Sequence, residues 1–140
     1  MNFKEHYKGR FINILRWPQL DNLWEKVKAQ PNGWYIYLVG ETLPTAPVEA
    51  ERLKQFLKEI DKLLHKEHDH NYCGIVYADD KEKPAMIKIF DPHNLGFVCG
   101  SSGTVVQPGW LLTRIPPEVI IKDAPTPRNR KRWWQTLFGL

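Results

Sequence analysis

Apolar residues recur along this chain with two periods, and each change of period marks a new element. Leu53, Phe56, Leu57, Ile60, Leu63 and Leu64 fall at i, i+3, i+4, i+7, i+10 and i+11. That is one apolar stripe, and it predicts an amphipathic helix over 47–67. Leu20, Leu23, Trp24 and Val27 repeat the spacing behind Pro18, predicting a helix over 18–29 that Gln30-Pro31-Asn32-Gly33 ends. Elsewhere the apolar runs are short, β-branched and aromatic. Residues 34–39 lack a clean alternation and predict a central strand covered on both faces. Residues 72–78 and 86–90, joined by the polar Asp79–Pro84, predict a hairpin. Further strands are expected at 10–16, 110–115 and, more briefly, 119–121.

This order predicts an α+β fold: a single domain over 1–123, with a mostly antiparallel sheet of four to five strands packed by two main helices. Its core should include Leu23, Trp24, Ile36, Leu53, Phe56, Leu57, Ile60, Leu64, Ile75 and Ile87. Residues 91–109 are rich in Gly, Pro and Ser and read as irregular. Ala124-Pro125-Thr126-Pro127 reads as an extended linker, so 124–140 is expected to be a flexible basic, aromatic tail.

Composition adds little to the fold but much to the tail. The 140 residues are 42% apolar and 26% charged, ordinary values for one globular domain. Two cysteines are too few for a disulfide scaffold. No leader and no membrane span is expected, so the chain reads as a soluble, cytoplasmic protein of bacterial type with reduced thiols. The net charge is +4. Arg128, Arg130, Lys131 and Arg132 lie in the tail with no acid beside them. Without them the 20 basic residues match the 16 acidic ones. A neutral domain with a basic tail argues against nucleic-acid binding, which usually spreads positive charge over one face of the fold.

Four groups of residues are candidates for chemistry. His65, His68, His70 and Cys73 are all of metal-ligand type, but their spacing matches no usual zinc pattern, and His near a helix C-terminus also suits the dipole. Cys99, before Gly100-Ser101-Ser102-Gly103, could lie by a nest of backbone N–H groups with His93 as base. Val105 stands where a phosphatase-like loop would place arginine, and glycines that supply turn geometry in a plain loop are the better explanation of the stretch. Lys54, Lys58, Lys62 and Lys66 step by four along the long helix. Glu51, Glu59 and Asp61 offset them, as on a solvated face.

The tail is the fourth. Coiled as a helix, it puts Trp133, Trp134, Leu137 and Phe138 on one side. Arginine and lysine beside tryptophan suit an anionic bilayer interface, a groove on a protein partner, or the chain's own domain. The leading expectation is a non-enzymatic accessory or adaptor protein without a cofactor. It would be positioned by Arg128, Arg130, Lys131, Arg132 and the tail's aromatic face, on a larger protein or peripherally on a membrane surface. The alternative is a small thiol- or metal-dependent enzyme using Cys99 with His93, or the His65–Cys73 cluster.

Overall fold

The computed structural model describes residues 2–93, 107–120, 126 and 128–138. Its elements are α1 (Phe3–Tyr7), β1 (Ile12–Ile14), α2 (Trp17–Ala29), β2 (Tyr35–Leu38), α3 (Ala50–Glu67), β3 (Val76–Ala78), β4 (Met86–Ile89), β5 (Trp110–Thr113) and α4 (Arg128–Phe138). The five strands form one sheet in the order β1-β3-β4-β5-β2, with every neighbouring pair antiparallel.

Strand register builds the core. Ile14, Val76, Ile89, Trp110 and Leu38 align as one row across all five strands. All five are buried, and α2 and α3 bury their apolar stripes in the same cluster. Every core residue expected from the pattern is buried there. The interleaved row, Asn13-Tyr77-Lys88-Leu111-Tyr37, faces the opposite way because side chains alternate along a strand.

That second face is covered by an element the apolar pattern does not announce. Helix α1 has five residues, too few for a periodic stripe, and Asn2 caps it by accepting from the Glu5 N–H at 2.8 Å. Phe3 of α1 is buried with Tyr37, Val39, Met86, Leu111 and Ile120. Lys88 fastens the arrangement. Its ammonium lies 4.0 Å from the ring centroids of both Tyr7 and Phe11 and donates to the Tyr7 carbonyl at 2.7 Å. Burial lowers the Lys88 pKa from its usual value, and burial followed by the charge of Tyr37 pushes the Tyr7 phenol up to about 12.

Boundaries differ from the sequence reading at several elements: β1, β3 and β5 are shorter than the expected 10–16, 72–78 and 110–115. Helix α3 begins at Ala50, after Pro47 and Val48, whose N–H donates to the Trp34 carbonyl at 2.8 Å and ties the loop to β2. Val119 and Ile120 are not a strand: Val119 is 68% exposed, while Ile120 plugs the second core and its N–H reaches the Tyr37 hydroxyl. Ile121 lies outside the described residues.

Phe56 on α3 is fully buried and meets the sheet cluster on one side and α4 aromatics on the other. Phe56→Ala is expected to cost about 3–5 kcal/mol, as large-to-small changes in aromatic cores do. A urea titration against the parent chain measures it, and a cost below about 1 kcal/mol would be incompatible with this core.

Candidate functional site: the C-terminal helix and the groove beside it

The segment expected as a loose tail is, over 128–138, a helix laid on the domain. Trp133, Trp134 and Phe138 surround the Phe56 ring at 6.2, 6.3 and 6.4 Å between centroids. Trp133 also meets Trp110 edge-on at 5.7 Å. Leu137 is buried, and the Arg52 guanidinium lies 5.5 Å from the Phe138 ring centroid. Eleven residues cannot hold a helix alone, so this contact stabilises α4.

Arg130 fixes the helix in place. It is 3% exposed, and its Nε donates to Asp91 Oδ2 at 2.8 Å while Nη2 donates to Asp91 Oδ1 at 3.0 Å. Nη1 and Nη2 also donate to the two Glu67 oxygens at 2.8 and 2.6 Å. Two bidentate forks therefore meet on one guanidinium, the geometry in which arginine–carboxylate pairing is strongest. Burial alone would lower the Arg130 pKa, but hydrogen bonds and charge from Asp91 and Glu67 outweigh it, and the net shift is upward. Asp91 fits because Gly109 has no side chain: a Cβ there would come within 3.0 Å of the Asp91 Cβ. Thus Arg130, counted in the sequence among binding residues, spends its charge inside the molecule.

The remaining tail cations do face outward. Arg128, Lys131 and Arg132 are exposed, with Lys131 3.6 Å from Glu41. Beside them runs a groove of about 480 Å³ between α4, β2 and the 41–48 loop. Ile36, Leu38, Leu43, Val48, Trp134 and Phe138 give it apolar walls, and Lys131 and Glu41 line it too. Sequence reading missed the groove's other wall, because nothing local in 36–48 announces a helix arriving from residue 128.

The histidine cluster is drawn into aromatic contacts rather than a shared ligand set. His65 stacks on Trp17 at 3.9 Å and lies 3.6 Å from Asp61. His68 is buried, and its Nε2–H donates to the Cys73 carbonyl at 2.8 Å. His70 stacks on Tyr72, and the Trp17 indole donates to the His70 carbonyl. Among the described residues no group of three or more His, Cys, Asp or Glu side chains is placed to hold a metal ion. Cys73 is fully buried, and burial raises its thiol pKa despite nearby backbone N–H groups. His93 is exposed and donates its backbone N–H to Asp91, while Cys99 and Gly100–Gly103 lie outside the described residues. In the lysine row, Lys62 pairs with Glu59 at 3.7 Å, and Lys54, Lys58 and Lys66 are exposed.

No protein-family model, curated protein or solved structure matches this chain. Among the described residues no helix is long and apolar enough to cross a membrane.

Arg130→Met should cost about 3–5 kcal/mol, because it leaves Asp91 as a buried, unpaired charge. Adding Asp91→Leu should return part of that loss, giving a coupling of about 1–3 kcal/mol in a double-mutant cycle read by urea unfolding. Additive costs would mean the pair is not formed.

His68 generates a pH prediction. Burial holds its imidazole below the usual histidine range; the Cys73 carbonyl opposes this and His70 adds to it. The unfolded chain therefore takes up this proton first as pH falls. The His68 contribution is fully present above about pH 6.5 and is lost as pH drops from there through the lower folded pKa. Urea midpoints at pH 7.5 and 5 should fall less for His68→Gln, whose amide can still donate to Cys73, than for the parent.

Proposed function

We propose that this chain is a non-enzymatic accessory protein that docks onto a larger protein partner through the surface built around α4. The observation that carries this reading is the apolar groove of about 480 Å³ walled by Trp134 and Phe138, beside the exposed cations of the same helix. An apolar cleft lined by the Lys131–Glu41 pair, with Arg128 and Arg132 exposed on the same helix, suits a partner segment that offers a bulky apolar anchor and nearby carboxylates. The anchor supplies affinity and the charges supply orientation and encounter rate.

A protein is favoured over a bilayer as the occupant by how α4 sits. To insert its aromatic face among lipid headgroups, the helix would have to withdraw Trp133 and Leu137 from the core. It would also strip Asp91 and Glu67 of Arg130. Several kcal/mol oppose that exchange, against about 1 kcal/mol gained per basic residue near an anionic surface. The cytoplasmic placement expected from the sequence accords with a protein partner, and no cofactor is needed for such a role. Of the enzymatic alternative, the branch built on His65, His68, His70 and Cys73 has less support, since Cys73 is buried with a raised pKa and these side chains share no ligand set; Cys99 lies outside the described residues.

Affinity capture with the intact chain, followed by titration of the recovered partner, tests the proposal. Arg128→Glu combined with Arg132→Glu, both on the exposed side of α4, should weaken that binding at least about tenfold without shifting the urea midpoint. Thr45→Glu, at an exposed position lining the groove, should do the same. Retained affinity in both variants would refute the groove as the docking surface. Salt-sensitive sedimentation of the parent with phosphatidylglycerol vesicles, lost in the same variants, would transfer the role to a membrane surface.

A further inference from the structure

The opposite edge of the sheet carries a second set of features that the α4 surface does not use. Strand β1 pairs with β3 on one side and ends the sheet on the other. Large apolar side chains are exposed along it and just beyond: Ile12 is 41% exposed and Leu15 55%. Tyr72, 54% exposed, lies near the end of this strand on its paired side, because the next residue, Cys73, donates its N–H to the Leu15 carbonyl at 2.7 Å. The Trp17 indole clamps this loop from α2 through the His70 carbonyl, and His70 stacks on Tyr72 with ring planes 16° apart. Three of the four exposed large apolar residues of the described chain therefore gather at one sheet edge.

Charge decides what can pair there. Arg10 and Arg16 flank β1, both are exposed, and neither forms an ion pair with a described residue. A second copy is a poor occupant. The two-fold antiparallel pairing that uses all of β1 centres on Asn13, sets Ile12 against Ile14, and puts Arg10 against Arg16 of the other copy. Like charges opposed across strands are destabilising. Short length and flanking cations are common means of keeping an edge from pairing with itself. They do nothing to repel a strand with acidic flanks; they select one.

We propose that the open edge of β1 is a second docking surface, which receives an extended segment of a protein partner bearing carboxylates on either side of a short apolar stretch. The backbone of the incoming strand completes the ladder, as in strand addition to a sheet edge. Its apolar side chains cover Ile12 and Leu15. Its carboxylates meet Arg10 and Arg16, which six residue steps of extended chain separate by about 20 Å. The surface lies at the far edge from β2 and α4, so it stands whether or not the α4 groove binds a partner.

Selection of a phage-displayed random dodecapeptide library on the full chain tests this. The expected consensus has two Asp or Glu residues five to seven positions apart around Val, Ile or Thr. A synthetic consensus peptide should slow hydrogen exchange of the β1 amides. It should bind Arg10→Glu/Arg16→Glu at least about tenfold more weakly, and a version with lysine in place of its acids should bind that variant instead. Arg128→Glu/Arg132→Glu should leave the affinity unchanged, which separates this surface from the α4 groove. Arg16→Glu alone removes the self-repulsion, so it should convert a monomer into a concentration-dependent dimer in sedimentation analysis. No enriched consensus, a consensus without acids, binding indifferent to Arg10→Glu/Arg16→Glu, or a parent chain that already dimerises through β1 would each overturn the proposal.

Discussion

The pairing of Arg130 with Asp91 and Glu67 is the constraint on which the arrangement of the C-terminal third depends. It joins the last helix to the end of α3 and to the residues just after β4, segments far apart in sequence. A buried guanidinium is costly to desolvate, and this one is tolerable because two carboxylates meet four of its hydrogen-bonding directions. The aromatic contacts of Trp133, Trp134 and Phe138 supply the larger apolar burial, but burial is non-directional. The ion network supplies register: α4 rotated by one residue would take Arg130 away from Asp91. The groove beside β2 exists because α4 is held in that register.

Strand order explains why two surfaces of different character arise. The edge at β2 is closed in by the 41–48 loop and by α4, and what remains open is a cleft with apolar walls. The edge strand β1 pairs with β3 alone among the described strands and carries exposed apolar side chains between two arginines. The middle of the sheet is covered on both faces, by α2 and α3 on one and by α1 with Ile120 on the other. Lys88 shows how the thinner cover is held. A lysine in the central strand β4 is compensated by two aromatic faces and a carbonyl, all from the N-terminal segment, so a cation holds α1 on the sheet together with the buried Phe3.

Much of the fold was legible because it rests on periodicity. The stripe from Leu53 to Leu64 identifies α3, and Leu20 to Val27 identifies α2. The β-branched runs locate the strands within a few residues. What stayed hidden follows from contacts distant in sequence. Helix α1 is set by one cap and one buried Phe3. The pair Val119-Ile120 has strand composition, but after Pro116-Pro117 only one of its side chains finds a core. Arg130 stands in a run of basic residues and looks like its neighbours; its partners lie 39 and 63 positions away. A signal was present all the same. Its row, Arg130, Trp133, Trp134, Leu137 and Phe138, lies on one helical face, so a cation sits in the middle of the apolar side, where a membrane-seeking helix would not place it.

That misplacement bears on what the tail is for. A helix selected to lie on lipid keeps its cations at the polar boundary and its apolar face free of charge. Here one arginine is on the apolar face and answered by two acids from the domain, while Arg128 and Arg132 stay outside. The division of the four tail cations into one internal and three external groups gives them separate tasks. Arg130 seats the helix, and the others present charge beside a cleft the seated helix creates. The same logic holds at β1, where Arg10 and Arg16 frame apolar positions they do not cover. At both edges of the sheet exposed cations stand near apolar side chains, and in the proposed reading those are the borders at which a partner would meet charge.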